Sequence, residues 1–146
     1  MIMIAIGSDH GGFELKTHIM EYLKNQGLEL FDFGTYSEDS CDYPDIAEKV
    51  ANAVADGECE KGILICGTGI GISIAANKVK GIRAALCGDV YSAKMTRKHN
   101  DANILCMGGR VTGRELAFMI CDTFLSEEFE GGRHQNRIDK IHKLED

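Results

Sequence analysis

The chain has 146 residues, with 16 lysines and arginines against 23 aspartates and glutamates, and a formal net charge of -7. This length suits one domain with a substantial core and leaves little room for two. The negative charge disfavours non-specific binding to nucleic acid or to an anionic membrane, because both would be repelled. We therefore expect neither partner, and an anionic ligand would have to be bound by a local group of basic residues.

The six cysteines favour free thiols over a disulfide framework. No pair has CxxC spacing, and Cys66, Cys87 and Cys106 end apolar, strand-like runs. The apolar opening, residues 1–6, lacks the basic segment and the cleavage site of a signal peptide, so we interpret it as a strand. No apolar run approaches the ~20 residues of a membrane-spanning helix. These features predict a cytoplasmic protein.

Short apolar runs alternate with helical patterns along the whole chain. This alternation predicts a single-domain, doubly wound α/β fold for residues 1–146, Rossmann-like, with a five-stranded parallel sheet and helices on both faces. The predicted strands are residues 2–6, 28–33, 62–66, 82–87 and 103–107.

The helices are predicted from apolar spacing and from end signals. After the first strand, three apolar residues repeat at helical spacing and a glycine supplies a C-cap: Leu15, Ile19, Leu23 and Gly27. Pro44 stands near the start of the second helix, while Thr112 and Glu115 have the spacing of a capping box before a later one. Residues 133–143 are polar and basic with a narrow apolar stripe, so we expect a surface helix that packs on a partner subunit.

Ligands of open α/β sheets bind at the carboxyl ends of the strands, where the strand order reverses. Four segments rich in glycine or polar residues follow the predicted strands, and we expect them to line one cleft. They are residues 8–12, 66–71, 88–89 and 108–110.

Residues 66–71, Cys-Gly-Thr-Gly-Ile-Gly, place three alternating glycines between a buried strand and a helix. Successive N–H groups can point at an anion there, because no Cβ atom intervenes, although a tight turn alone would favour the same glycines. A dinucleotide fingerprint would need glycine at Ile72. Cys66, at the entrance to the helix, is either a base or nucleophile that titrates near neutral pH or a buried structural thiol.

Basic residues of the second half also allow two interpretations. His99 ends a helix, where the dipole favours a protonated imidazole suited to proton transfer, but a capping histidine would look the same. Arg133 and Arg137 share one helical face, and Arg110 follows two glycines, so the three either bind phosphate or form a solvated basic surface. The pair at residues 9–10, Asp-His, lacks a third ligand at helical or hairpin spacing, so we expect no metal.

Together, these motifs resemble the ribose-5-phosphate isomerase B family. The matching segments occur in order along nearly the whole chain: residues 8–12 (SDHGG), 42–44 (DYP), 66–71 (CGTGIG), 75–78 (AANK), 97–101 (RKHND), 108–110 (GGR) and 133–137 (RHQNR). The resemblance implies an enzyme of the pentose phosphate pathway that interconverts ribose 5-phosphate and ribulose 5-phosphate. It also implies a homodimer or homotetramer with sites shared between subunits, and no metal or organic cofactor.

The resemblance further implies a role for each matched residue. Cys66 is the base that moves a proton between C1 and C2, and Thr68 helps to move protons between the oxygens. His99, with Asp9, opens the furanose ring. The enediolate is stabilised by backbone amides of Gly67, Gly69, Ile70 and Gly71. The implied phosphate ligands are His10, Arg110, Arg133 and Arg137, and the implied sugar contacts are Tyr43 and Asn100.

Two other functions are left open by the sequence. One is an isomerase of a six-carbon sugar phosphate, such as galactose 6-phosphate or allose 6-phosphate. The galactose 6-phosphate enzymes of this superfamily divide the catalytic residues between two different chains, whereas this chain carries Cys66, Thr68 and His99 together. The other is a non-catalytic nucleotide- or flavin-binding module, which would use a similar glycine loop but leave Cys66 and His99 without a role.

Overall fold

The structure, a computed structural model, describes residues 2–146, so Met1 of the apolar opening lies outside them. All five predicted strands are present, the second and fourth shorter than expected. In chain order the elements are β1 Met3–Ser8, a 3-10 turn His10–Gly12, α1 Phe13–Lys24, β2 Glu29–Asp32, α2 Tyr43–Ala55, β3 Lys61–Cys66, α3 Ile70–Ala76, β4 Ala84–Leu86, α4 Val90–Asn100, β5 Ile104–Gly108, α5 Arg114–Ser126 and α6 Arg133–Lys143.

The strands form one sheet in the order β2-β1-β3-β5-β4, and every pairing between neighbours is parallel. The chain runs from β1 outward to β2 and then returns to β3 on the opposite side of β1. The strand order therefore reverses between β1 and β3, which is where open α/β sheets place their ligands.

Apolar side chains cover both faces of the sheet, which confirms the doubly wound prediction. On one face, Ile19 of α1 and Phe124 of α5 pack in a core with alternate residues of β1, β3 and β5. On the other face, Val50 of α2 and Ile72 of α3 pack against Leu64 and the remaining strand residues. β3 and β5 are buried along their whole length, as expected for central strands of a parallel sheet.

Two of the predicted helix ends are confirmed and one is wrong. Gly27 adopts a left-handed φ of +84° just beyond α1, and Pro44 lies in the first turn of α2. The predicted capping box does not form, because α5 begins at Arg114 and no side chain caps it. Thr112 is instead buried in the turn after β5, where its N–H donates to the carbonyl of Gly108 at 2.9 Å.

The terminal helix α6 is anchored on its own chain. His134 and Ile138 are buried, and a carboxylate oxygen of Glu145, just past the helix, accepts from the N–H of Gly81 at 2.8 Å. Leu144 is exposed. The expected packing of this helix on a partner subunit stays a prediction. Within residues 2–146, no helix combines the length and the apolar character needed to cross a lipid bilayer.

Candidate active site

The loops at the carboxyl ends of β1, β3 and β5 meet in one place, because these strands are adjacent and parallel. A Cβ atom added to Gly109 would lie 2.7 Å from the carbonyl oxygen of Gly11, and one added to Gly11 would lie 3.2 Å from the nitrogen of Gly67. A Cβ added to Gly108 would lie 2.6 Å from the carbonyl carbon of Thr68. Three of the four predicted segments therefore form one surface, and glycines allow their close approach.

The place of the fourth predicted segment, residues 88–89, in the same cleft stays a prediction. This segment follows the edge strand β4, which β5 separates from β3. The carboxylate of Asp89 caps its own helix, α4, by accepting from the N–H of Ser92 at 2.6 Å.

The N–H groups of the glycine loop between β3 and α3 fall into two kinds, those bonded within the loop and those without a backbone acceptor. Gly69 adopts a left-handed φ of +83°, and its N–H donates to the Sγ of Cys66 at 3.1 Å. The N–H of Ile70 donates to the Oγ1 of Thr68 at 3.2 Å. Within residues 2–146, the N–H groups of Gly67 and Thr68 donate to no backbone carbonyl. These two groups are therefore free to donate to a ligand.

Cys66 differs from the other cysteines in its surroundings. All six thiols are free, as expected. Burial raises the pKa of Cys87 to about 11 and raises the pKa of Cys106 and Cys121 further, so these thiols stay protonated near neutral pH. Cys66 is also buried, but its sulfur accepts an N–H and stands at the start of the glycine loop. Such a hydrogen bond stabilises negative charge on sulfur.

Asp9 and His10, which follow β1, are oriented by backbone groups. Asp9 is buried, and its Oδ1 accepts from the N–H groups of Gly11 at 2.9 Å and Gly12 at 3.2 Å. The Nδ1 of His10 accepts from the N–H of Cys41 at 3.2 Å. The proton of the neutral imidazole is therefore on Nε2, which can donate to a ligand.

Tyr43 and Arg110 complete this side of the site. Tyr43 begins α2, and its ring lies so close to Gly71 that a Cβ there would be 2.6 Å from its Cζ. Arg110 lies over Gly67, with its Nη1 3.2 Å from the position of an added Cβ. We call the residues of this surface the first half-site. They are Asp9, His10, Tyr43, residues 66–71 and Arg110.

The remaining predicted residues lie at the end of α4 and on α6. We call them the second half-site: His99, Asn100, Arg133 and Arg137. The imidazole of His99 stacks on that of His134, with centroids 4.3 Å apart. A carboxylate oxygen of Glu130 lies 3.7 Å from the Nε2 of His99 and 3.4 Å from that of His134. Burial lowers the pKa of His134, and the positive charge of Arg133 lowers it further.

Glu130 and His134 were missed as site residues by the sequence reasoning. His134 adjoins Arg133 in the sequence, but spacing alone did not distinguish its buried side chain from its exposed neighbours. Glu130 precedes α6 and belongs to none of the recognised motifs. No sequence signal connected either residue with His99, which is about 30 positions earlier.

The two half-sites are not joined within one chain. Among residues 2–146, no side-chain hydrogen bond or ion pair connects them. A cavity of about 580 Å³ is lined by His10, Gly11 and Arg110, and another of about 500 Å³ by Asp9, His10 and Tyr43. Residues of the second half-site line neither of them.

Three arginines of the two half-sites lack a carboxylate partner. The side chains of Arg110, Arg133 and Arg137 are exposed, and none forms an ion pair within the part of the chain that the structure describes. In a chain with a net charge of -7, three unpaired guanidinium groups at predicted site positions favour a phosphate ligand.

Comparisons with known proteins agree with the geometry. A family model described as Ribose/Galactose Isomerase matches residues 4–141. The chain is 54% identical over 145 residues to ribose-5-phosphate isomerase B of Escherichia coli K12, which covers 99% of this chain and 97% of that protein. It is 48% identical over 145 residues to D-erythrulose-4-phosphate isomerase of Pectobacterium atrosepticum, which covers 97% of this chain and 93% of that protein.

The fold also agrees with that of solved structures. A solved structure of ribose-5-phosphate isomerase B from Clostridium thermocellum is 59% identical and superposes with a TM-score of 0.98, covering 99% of this chain and 97% of that chain. With a family model that spans residues 4–141 and full-length relatives at this identity, this chain belongs to the ribose/galactose isomerase family.

Proposed function

We propose that this protein is an aldose–ketose isomerase that interconverts ribose 5-phosphate and ribulose 5-phosphate, with Cys66 as the base. The observation that carries the proposal is the hydrogen bond from the N–H of Gly69 to the sulfur of Cys66, in a glycine loop at the strand-order reversal. The names of relatives at 54% and 59% identity support the substrate. No metal or organic cofactor is part of the proposal.

The proposed chemistry is a proton transfer between neighbouring carbons. In the aldose-to-ketose direction, the thiolate of Cys66 removes the proton from C2 of the open-chain sugar and returns it to C1. Thr68 moves a proton between the two oxygens, so that the C1 carbonyl becomes a hydroxyl and the C2 hydroxyl becomes a carbonyl. The intermediate enediolate is an oxyanion, and each preorganised N–H donor is worth about 2.7–4 kcal/mol in such sites. The proposed donors are the amides of Gly67, Gly69, Ile70 and Gly71. Those of Gly69 and Ile70 would have to exchange their present acceptors, the sulfur of Cys66 and the hydroxyl of Thr68, for the enediolate.

Ring opening precedes this step, and we assign it to His99 with Asp9. The Oδ1 of Asp9 already accepts two backbone N–H groups, so the proposed role falls to its other carboxylate oxygen. His99 stands in the second half-site, with its side chain 42% exposed and therefore accessible to a sugar.

The phosphate is proposed to lie between the unpaired arginines. The Nε2–H of His10 and the guanidinium of Arg110 would bind it from the first half-site, and Arg133 and Arg137 from the second. Guanidinium groups suit phosphate because their N–H donors match its oxygens in pairs. Tyr43 and Asn100 are proposed to contact the sugar.

We further propose that the protein is at least a homodimer in which one subunit's first half-site faces the partner's second half-site. This arrangement would give every proposed catalytic residue access to one substrate, which the single chain does not provide. Exposed apolar side chains next to the glycine loop, on Ile70, Ile74 and Leu86, are available for such a contact. A cytoplasmic location is proposed from the six free thiols, which persist in a reducing compartment.

The test is the rate of ribulose 5-phosphate formation from ribose 5-phosphate in EDTA, for the parent, Cys66→Ala and Cys59→Ala. Both cysteines are 4% exposed, but Cys59 lies away from the glycine loop, so it is a matched control. We expect Cys66→Ala to lower kcat by about 10²–10⁴-fold and Cys59→Ala to leave it nearly unchanged. Equal rates for all three would remove the thiol from the mechanism.

The sugar length needs its own test, because a relative at 48% identity is named for a four-carbon ketose phosphate. Four-carbon and six-carbon sugar phosphates should be assayed beside ribose 5-phosphate, and we expect the highest kcat/KM for the pentose. A folded parent that turns over only another length would reassign the substrate. If it turned over none but bound a flavin or nucleotide, the binding-module hypothesis would replace the isomerase.

A further inference from the structure

Three side chains near the end of α4 place metal-ligating atoms close together. One nitrogen each from His99 and His134 and one oxygen from Glu130 all lie within 4.8 Å of one another. The oxygen of Glu130 is 3.7 Å from the Nε2 of His99 and 3.4 Å from the Nε2 of His134. Two imidazoles and one carboxylate are a ligand set that proteins use to bind zinc.

The Nε2 of His134 is the strongest indication of a ligand at this place. His134 is 5% exposed, and this nitrogen is buried without a hydrogen-bond partner in the described part of the chain. A buried polar atom without a partner destabilises the folded chain. This nitrogen lies 3.4 Å from a carboxylate oxygen of Glu130, so a cation bound by both atoms would satisfy it.

The backbone holds this cluster in place. The N–H of Glu130 donates to the carbonyl of Lys98 at 3.1 Å, directly beside His99. Three residues earlier, the carbonyl of Glu127 accepts from the Nε of Arg97 at 3.2 Å. The loop before α6 is therefore fastened to the last turn of α4, and the three ligands are brought together before any metal binds.

We propose that His99, Glu130 and His134 form a binding site for a first-row transition-metal ion of the Zn²⁺ type. Zinc binds nitrogen and oxygen ligands at about 2.0–2.2 Å, and three protein ligands leave a fourth position for water. The two rings now stack within 16° of parallel, so one of them must turn for both lone pairs to meet the ion. The side chain of His99, at 42% exposed, has room to turn, whereas His134 is fixed by burial.

Occupation of this site would inhibit the enzyme. The ion would take the Nε2 of His99, the residue that we assign to ring opening, so this consequence rests on the proposed function. The bound metal would act only as an inhibitor and would have no part in the isomerisation.

The binding test uses Co²⁺ and Zn²⁺ on the EDTA-treated and then dialysed full-length protein. We expect Co²⁺ to bind with visible absorption bands of a site of low coordination number and without the near-ultraviolet charge-transfer band of a thiolate ligand. Calorimetry with Zn²⁺ should give one site per chain. Glu130→Gln should raise the Kd by about tenfold or more, because it removes an anionic ligand.

The matched control is Glu128→Gln, which makes the same change on an exposed side chain of the same loop. It should bind Zn²⁺ like the parent, and unchanged melting temperatures should show that both variants are folded. Binding that survives Glu130→Gln unchanged, or a thiolate band in the Co²⁺ spectrum, would overturn the proposed site.

The inhibition test is separate. Zn²⁺ should inhibit the parent and Glu128→Gln at concentrations that leave Glu130→Gln about tenfold less sensitive, and EDTA should restore activity. Binding at the site without loss of activity would refute the inhibitory role. If the parent had no isomerase activity but still bound the metal, the proposed function would fail and the metal site would stand.

Discussion

The N–H of Gly69 donates to the sulfur of Cys66 at 3.1 Å, and Gly69 makes this bond from a left-handed φ of +83°. A Cβ at position 69 would also lie 2.5 Å from the Cδ1 of Leu86 and 2.8 Å from the carbonyl carbon of Met107. The backbone conformation and the neighbouring strand ends therefore both demand glycine. The environment of the proposed base depends on this one residue.

Gly69→Ala should lower both stability and activity. A left-handed alanine costs about 1–2 kcal/mol, and the contact with the backbone of Met107 adds about 1–3 kcal/mol, because the backbone yields poorly. As the loop shifts, the N–H should move away from Cys66, and kcat should fall by at least about tenfold. Urea denaturation and steady-state kinetics measure the two effects.

Gly57→Ala is the matched control for this change. Gly57 has the same φ of +83°, but an added Cβ there would meet no atom within 4 Å. It should cost only the backbone strain, about 1–2 kcal/mol, and leave kcat unchanged. Equal losses of stability and activity for the two variants would contradict the role assigned to Gly69.

The effect of Gly71→Ala on the free energy of unfolding should change sign when Tyr43 is replaced by alanine. In the parent, a Cβ on Gly71 would lie 2.6 Å from the Cζ of Tyr43, so Gly71→Ala should displace the ring, raise KM and destabilise the protein. In a Tyr43→Ala background the same change should stabilise by about 0.5–1 kcal/mol, because alanine suits a helix better than glycine. A double-mutant cycle by urea denaturation checks this, and additive effects would mean that the ring and Gly71 are not in contact in solution.

Mixing two inactive variants should restore activity if the half-sites are shared between subunits. Cys66→Ala damages the first half-site and His99→Asn the second, so a mixed dimer carries one intact site and one with both changes. After unfolding and random reassociation of equal amounts, about a quarter of the parental rate should return. Each variant refolded alone is the control. No recovery despite mixed dimers, seen by mass spectrometry, would place the whole site in one subunit.

Asp89 should make the stability of α4 depend on pH in acid. The N–H of Ser92 lowers the pKa of this carboxyl below its ordinary value of 3.8, so the stabilisation is present above that pH and is lost as the pH falls through the lowered pKa. Asp89→Ala should reduce the melting temperature by a few degrees at pH 7, and the difference should shrink below about pH 4.

Asp89→Asn provides the comparison, because asparagine also caps a helix but does not titrate. The difference in melting temperature between Asp89→Asn and Asp89→Ala should be nearly constant with pH. A deficit of Asp89→Ala that persists undiminished at pH 2 would show that the carboxylate charge does not contribute.

The sequence by itself determined the features that depend on residues close together along the chain. The five strands and α6 were predictable because apolar spacing reports directly which face of an element is buried. The glycine loop at residues 66–71 was recognisable because alternating glycines are a local requirement of its backbone. The prediction of a capping box at Thr112 and Glu115 was wrong although their spacing was right, because Thr112 is buried in the turn after β5.

Only the tertiary structure decided which distant residues meet. It brought Gly11, Gly67 and Arg110 together because β1, β3 and β5 are neighbours in the sheet. It also placed Glu130 and His134 beside His99, through a loop fastened to α4. These contacts join segments that are tens of residues apart, and local periodicity contains no information about strand order or loop docking.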